Sequence, residues 1–306
     1  MVKKIAVIGS LNVDFIAYVD HAPIMGETIL SSRLRILPGG KGANQAFAIG
    51  RMGAPVTMFG AVGKDLNAKI ELSSLEGASV DTTNIKIIDE LTGMAMITVN
   101  SIGQNNIVVS QGANKMVTPA FIDSWMSELD KYDIIVLQLE IPLETVIYAT
   151  KQLKERGKII ILDPAPAPGR LPDDLLENID ILKPNESELS ILTGLTDIKN
   201  QLDAGCNMLL EQGVKCVLAS LGNDGVMVKR KSEKGLIYIG EDVEAVDTTA
   251  AGDSFTAAIA YALANESIIE DAVRFANKVA AIVVQREGAQ SSIPTKEEIE
   301  AIWQLV

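Results

Sequence analysis

Histidine is almost absent from the sequence, and cysteine is scarce. The one histidine, His21, excludes metal sites built from several histidines, and a Ser-His-Asp triad would have to use this residue in a predicted loop beside Pro23. The two cysteines, Cys206 and Cys216, have neither the spacing of a metal site nor the number needed for a disulfide framework. Because disulfides are rare in reducing compartments, we expect this protein to be cytoplasmic.

Basic residues and long apolar runs are also few. The 27 Lys and Arg residues stand against 40 Asp and Glu residues, which gives a formal net charge of −13. Nucleic acids and anionic membranes both bind clusters of basic residues, so we expect neither as a partner. No run approaches the roughly 18 apolar residues of a membrane-spanning helix, and the apolar run near the N-terminus is too short for a signal peptide.

Short apolar segments alternate with helical patterns over most of the chain. Four predicted strands of this kind are 134–137, 159–162, 179–182 and 215–219. Such repeats predict a mainly parallel sheet covered by helices on both faces. Four segments with mixed faces, 15–19, 27–35, 94–99 and 106–109, predict a small separate sheet. Since no linker divides the chain, we expect one large α/β domain over residues 1–306 with the small sheet inserted.

Residues 247–253, Asp-Thr-Thr-Ala-Ala-Gly-Asp, precede a helical apolar pattern. The first N–H groups of a helix lack internal partners and carry the positive end of its dipole, so Ala250, Ala251 and Gly252 are predicted to form an anion hole. Asp253 would be a strong base beside it. This pairing suggests phosphoryl transfer, in which the base accepts a hydroxyl proton while the N–H groups neutralise charge. The alternative is a helix N-terminus, where Asp is common.

Residues 38–46, Pro-Gly-Gly-Lys-Gly-Ala-Asn-Gln-Ala, lead from glycines into a helix of small residues. They form neither a Walker A loop nor a dinucleotide fingerprint, so a nicotinamide-dependent oxidoreductase fits poorly. Lys41 and Asn44 would suit a hydroxyl-rich ligand, although a glycine turn before a helix is the alternative. Asn12 and Asp14 follow the first predicted strand, at the sheet edge where ligands bind in this fold class.

Several other predicted strands are also followed by polar or small residues. Each is more often structural than functional when taken alone, but together they would ring the carboxyl edge of the sheet. These residues are Glu140, Asp163, Asn185, Glu188, Ser220 and Gly222.

Segments 39–46 and 247–253 resemble the two signatures of the ribokinase-like carbohydrate kinases, the phosphofructokinase-B superfamily. Further matches follow in order between about residues 5 and 294, at 9–14, 26–28, 184–188 and 286–292. The resemblance implies a three-layer α/β/α fold whose small sheet, about residues 14–38 and 92–110, is a lid and the usual contact of a homodimer. It also implies ATP-dependent phosphorylation of the 5-hydroxyl of D-ribose, with Mg²⁺, and with K⁺ as an activator.

The resemblance also assigns roles to individual residues. Asp253 would be the base, and Ala250, Ala251 and Gly252 the anion hole. The residues that would hold the sugar are Asn12, Asp14, Gly40, Lys41, Asn44, Glu140 and Asp253. Those facing the nucleotide and its Mg²⁺ would be Asn185, Glu188, Ser220, Gly222 and Asn277. The K⁺ site would comprise Asp247, Thr249, Val283, Gly288 and Ser292.

Other substrates remain open within the same superfamily. Kinases of fructose, 2-deoxyribose or nucleosides share the base and the anion hole, so only the sugar-side residues around Asn12, Asp14, Lys41 and Glu140 favour ribose. A non-catalytic sugar-binding relative is a more distant alternative. The intact Asp253 and its small neighbours argue against it.

Overall fold

The computed structural model describes residues 2–303, which contain two β-sheets. Within these residues the larger sheet has nine strands in the order β13-β12-β11-β10-β9-β8-β1-β4-β5. They are β1 (Ile5–Ile8), β4 (Val56–Gly63), β5 (Ile85–Ile88), β8 (Ile134–Leu137), β9 (Ile159–Leu162), β10 (Ile181–Leu182), β11 (Cys216–Ser220), β12 (Val226–Arg230) and β13 (Leu236–Tyr238). Seven adjacent strands of this sheet are parallel, namely β5, β4, β1, β8, β9, β10 and β11. The strands β12 and β13 add an antiparallel edge.

Helices cover both faces of this sheet. They are α1 (Lys41–Arg51), α2 (Leu66–Gly77), α3 (Pro119–Leu129), α4 (Leu143–Glu155), α5 (Asp173–Leu176), α6 (Glu186–Thr193), α7 (Leu202–Glu211), α8 (Ala251–Ala264), α9 (Ile269–Val284) and α10 (Lys296–Trp303). Along β1, Ile5 and Val7 pack with α1, α2, α8, α9 and α10, whereas Ala6 and Ile8 pack with α3 to α7. Side chains of a strand alternate between faces, so a strand buried on both sides is apolar throughout. The predicted three-layer α/β/α class is confirmed.

The smaller sheet has the order β3-β2-β6-β7. Its strands are β2 (Asn12–Tyr18), β3 (Arg33–Gly39), β6 (Gly93–Val99) and β7 (Asn105–Ser110). β2 pairs parallel with β6 and antiparallel with β3, and β7 is exposed along its whole length. Because β2 begins just after β1 and β3 ends just before α1, this sheet adjoins the carboxyl edge of the larger one.

One predicted strand of the small sheet was misplaced. The pattern predicted a strand over 27–35, but β3 runs from Arg33 to Gly39 and residues 27–32 lie outside any strand. Pro38 and Gly39 belong to this strand. Pro38 pairs with Val13, and Gly39 pairs with Asn12. A proline is tolerated at this position because β3 is an edge strand of the small sheet.

Three short or peripheral elements, β5, α5 and α10, were not predicted. None of the helices within residues 2–303 combines the length and apolar character that crossing a bilayer requires.

Candidate active site

The start of α8 has the geometry of an anion site. Ala250, the N-cap, adopts a left-handed backbone with φ 60° and ψ 9°. For a residue other than glycine this costs on the order of 1–3 kcal/mol, and such strain clusters at functional sites. Its neighbour Ala251 donates its N–H to the Thr248 carbonyl at 3.2 Å. A Cβ added to Gly252 would meet only Nζ of Lys183, at 3.1 Å, so a ligand can approach the helix end closely.

Asp253 lies in the first turn of α8 and is held by three residues of α1. Its Oδ2 accepts a hydrogen bond from Asn44 Nδ2 at 3.0 Å, and its Oδ1 accepts one from Gln45 Nε2 at 3.1 Å. Nζ of Lys41 lies 3.9 Å from Oδ1. A carboxylate offers about four acceptor positions, so each oxygen keeps capacity for an incoming hydroxyl.

The predicted sugar-side residues converge on the same place. Glu140 accepts hydrogen bonds from Ser10 Oγ and, at 3.0 Å, from the Lys41 N–H. Asn12 Oδ1 accepts one from Asn114 Nδ2 at 2.8 Å, which fixes its amide. Gly40 has φ 82°, and a Cβ there would lie 2.8 Å from the Asn12 backbone nitrogen. The glycine is therefore required by both backbone conformation and close contact.

Burial and mutual repulsion dominate the electrostatics of this pocket. Burial, followed by the charges of Glu140 and Asp253, raises the pKa of Asp14 to about 7. Burial also raises the pKa of Glu140. Burial acts against the ammonium of Lys41, but the surrounding carboxylates, of which Asp253 is the strongest, outweigh it and raise its pKa. The pocket is thus rich in acceptors for hydroxyl groups, and Lys41 balances part of their charge.

A cavity of about 290 Å³ lies on the other side of the α8 N-terminus. Of the residues predicted to face a nucleotide, Asn185, Ser220, Gly222 and Asn277 line it, and apolar side chains of α8 and α9 add an apolar wall. Asn277 Nδ2 donates to the carbonyls of Tyr238 and Ile239, at 3.1 and 3.3 Å.

Asn185 and Glu188 form a capping box at the start of α6. Asn185 Oδ1 accepts the Glu188 N–H at 2.8 Å, and Glu188 Oε2 accepts the Asn185 N–H at 2.9 Å. Both side chains therefore have a structural task at the start of α6, and of the two only Asn185 lines the cavity.

The predicted K⁺ residues form two groups. Asp247 Oδ1 accepts from the Thr249 N–H and Oγ1, at 2.9 and 2.6 Å, and its Oδ2 accepts from the Gly288 N–H at 2.8 Å. Val283 and Ser292 have local partners instead: the Val283 carbonyl accepts the Arg286 N–H, and Ser292 Oγ donates to the Ala289 carbonyl.

The chemistry of this set fits a monovalent cation. Its donors are a carboxylate, a hydroxyl and backbone carbonyls, and carbonyl oxygens replace the hydration shell of K⁺ in selective sites. Hydrogen bonds from Thr249 and Gly288 outweigh burial and lower the pKa of Asp247, which keeps its charge.

The profile of the pfkB family carbohydrate kinases matches residues 2–296. The chain belongs to this family. It is 38% identical to a ribokinase of Haemophilus influenzae over 301 residues, 97% of each chain, and 36% identical to a deoxyribokinase of Salmonella typhimurium, over 98% of this chain and 99% of that one. The structure of Arabidopsis thaliana ribokinase complexed with ribose and ATP has a TM-score of 0.93 and 34% identity, and 99% of each chain is covered.

Sequence reasoning missed two functional candidates in this kinase. Lys183, at the carboxyl end of β10, is only 4% exposed, lines the nucleotide-side cavity and pairs with Asp163 at 3.3 Å. Gln45 donates to Asp163 as well as to Asp253. The sequence did hold a signal for each residue. Lys183 directly follows a buried apolar strand, and Gln45 is adjacent to Asn44.

Proposed function

We propose that this kinase transfers the γ-phosphoryl group of ATP to the 5-hydroxyl of D-ribose and so produces ribose 5-phosphate. The observation that carries the proposal is the position of Asp253 at the start of α8. It lies between the acceptor-rich pocket of Lys41 and Asn44 and the cavity lined by Gly252. A ribokinase and a structure holding ribose and ATP are among the proteins that the chain resembles over almost its full length.

In this proposal Asp253 accepts the proton of the 5-hydroxyl as the oxygen attacks phosphorus. Asn44 and Gln45 hold its two oxygens, so the carboxylate is oriented before the sugar arrives. The N–H groups of residues 250–252 and the ammonium of Lys183 would face the charge on the transferred group, and the Ala251 N–H would exchange the Thr248 carbonyl for a phosphoryl oxygen. Asn185 and Glu188 would face Mg²⁺, which neutralises phosphate charge when bound.

The small sheet would act as the lid of one kinase domain over residues 1–306. Its strands β2 and β3 carry Asn12, Asp14 and Gly39 at the sugar side, so closure would exclude the water that competes for the phosphoryl group. We also propose a homodimer through the face of this sheet opposite to Asp14, where large apolar side chains are exposed: Leu34, Ile36, Met96 and Val108. Sedimentation that finds only a 32.7 kDa species at micromolar concentration would contradict the dimer.

Two further assignments belong to the proposal. K⁺ would be the activating cation, held by Asp247, Thr249, Val283, Gly288 and Ser292. The protein would work in the cytoplasm, because Cys206 and Cys216 are both free thiols, as suits a reducing compartment.

An ADP-release assay over a panel of acceptors tests the function. With ATP and Mg²⁺, we expect D-ribose to be turned over faster than 2-deoxyribose, D-fructose, fructose 6-phosphate, adenosine or cytidine, and K⁺ to stimulate the rate. A site built to bind a hydroxyl rejects the analogue that lacks it, by roughly 10⁴–10⁵ at best. Preference for 2-deoxyribose would favour the deoxyribokinase alternative instead. Sugar binding without any turnover would leave only a non-catalytic role.

The raised pKa of Asp14 predicts that ribose binding weakens in acid. With a pKa of about 7, the folded protein binds a proton at Asp14 that the unfolded chain, with a value near 3.8, has lost. The stability this proton gives is complete below about pH 4 and is lost as the pH rises through 7. Ribose needs the ionised carboxylate as acceptor, so its KM should be about tenfold higher at pH 6 than at pH 8.

The variant Asp14→Asn checks this prediction. It should raise the KM for ribose by roughly 10- to 100-fold at pH 8, remove most of the pH dependence between 6 and 8, and raise the melting temperature at pH 8. Asp20→Asn, an exposed position beyond the end of β2, is the control and should match the wild type. Equal pH profiles for wild type and Asp14→Asn would contradict the assignment.

A further inference from the structure

Asn44 stands between the proposed base and a loop of the candidate cation site. Its Nδ2 donates to Asp253 Oδ2 at 3.0 Å, while its Oδ1 accepts a hydrogen bond from Gln290 Nε2 at 3.2 Å. Gln290 is 5% exposed, and its Oε1 accepts a hydrogen bond from Ser74 Oγ on α2. Each amide in the series thus has its donor and acceptor ends fixed by its neighbours.

Gln290 also begins the 3-10 helix Gln290–Ser292 in the loop that follows α9. In the same loop the Gly288 N–H donates to Asp247 Oδ2 at 2.8 Å. The loop is therefore attached to the candidate cation site at one point and, two residues later, to the partner of the base.

We propose that Gln290 is a positioning residue that transmits the arrangement of the 286–292 loop to Asp253 through Asn44. The inference rests on the proposed kinase function and deepens it. Without the Gln290 donor, the Asn44 amide is free to rotate and to present its Oδ1 to Asp253. The hydrogen bond from Asn44 Nδ2 to the carboxylate would then be replaced by a repulsion between two oxygens. The other oxygen of Asp253 keeps its bond from Gln45, whose own Oε1 accepts from Gln138 at 2.6 Å, so the effect falls on orientation rather than on folding.

A double-mutant cycle tests the relay. Gln290→Met keeps the length of the side chain and removes its hydrogen bonds. We expect kcat to fall about tenfold with the KM values for ribose and ATP within about threefold, because a misplaced base slows chemistry more than binding. In an Asn44→Ala background the same change should alter kcat less than about twofold, since residues that act as one unit are not additive.

Two outcomes would overturn the proposal: Gln290→Met with the kcat of the wild type, or the same loss in both backgrounds. Gln201→Met, at an exposed glutamine that precedes α7 and whose side chain makes no cap hydrogen bond, is the matched control and should keep the wild-type rate. Should Gln290→Met fail to fold, Ser74→Ala removes the bond that holds Gln290 Oε1. It must lower kcat in the wild-type background and not in the Asn44→Ala one, and a kcat unchanged in both overturns the relay.

The coupling to the cation loop is tested by two measurements, the melting temperature, which needs no turnover, and the stimulation of the rate by K⁺. In Gln290→Met the increase in melting temperature caused by KCl, relative to a chloride of a large organic cation, should remain, whereas the stimulation of the rate by K⁺ should fall towards one. A variant that keeps the wild-type stimulation contradicts the coupling. If the wild type itself does not phosphorylate ribose, the proposed function is wrong. This result comes from the wild type alone, so it is distinct from a failure of the relay, which is measured by comparing variants.

Discussion

Replacing Asp253 with asparagine is expected to lower kcat by roughly 10²–10⁴, while D-ribose still binds. The carboxylate is the acceptor for the hydroxyl proton, and an amide of the same shape cannot take that proton. Asparagine keeps one oxygen for Asn44 or Gln45, so the helix start loses less of its packing than it would with alanine. ADP release measures the rate, and titration calorimetry measures ribose binding.

A matched carboxylate in the first turn of the next helix provides the control. Asp271→Asn, in α9, removes an ion pair with Arg274 at the surface and should keep the wild-type rate. If Asp253→Asn retained more than about a tenth of the wild-type rate, Asp253 would not be the base. Loss of ribose binding together with turnover would instead assign Asp253 mainly to holding the sugar.

The core of the fold was predictable because its strands are buried on both faces. β1, β8 and β9 have apolar side chains at every position, so the apolar runs in the sequence coincide with the strands in the structure. Elements outside this core carry weaker signals. β3 alternates and ends in Pro38 and Gly39, and β10 has only two residues, so their bounds depend on strand pairing rather than on local pattern.

The candidate site divides in the same way. Lys41 and Asn44 lie in one short segment and residues 250–253 in another, so each group could be found from a local pattern. The connections between them could not: Gln45 reaches Asp253 across 208 positions, and Gln290 reaches Asn44 across 246. Lys183 is similar, because its ion pair with Asp163 becomes visible only when β9 and β10 lie side by side. The roles of all these residues stay predictions until the variants are measured.

Lys183→Met is expected to lower kcat by roughly 10²–10³. In a protein with a net charge of −13, charge on a transferred phosphoryl group must be neutralised locally, and Lys183 lies beside Gly252 at the start of α8. Its ammonium is already desolvated, so its attraction for an anion is stronger than that of a surface lysine. The KM for ATP should rise as well, and ribose binding should stay close to that of the wild type.

The stability of the variant must be separated from its activity. Removing Lys183 leaves Asp163 as a buried unpaired charge, which costs about 3–5 kcal/mol in comparable cases. The double variant Lys183→Met/Asp163→Asn removes that charge and keeps an oxygen for Gln45, so it should recover stability but not kcat. Lys229→Met is the matched control. Lys229 lies on β12, is 6% exposed and pairs with Asp203 of α7 at 2.7 Å, outside the nucleotide-side cavity. A double variant with the wild-type kcat would mean that Lys183 is only a structural partner of Asp163. A kcat that falls in both Lys183 variants but not in Lys229→Met would assign the neutralising charge to Lys183, at the end of β10.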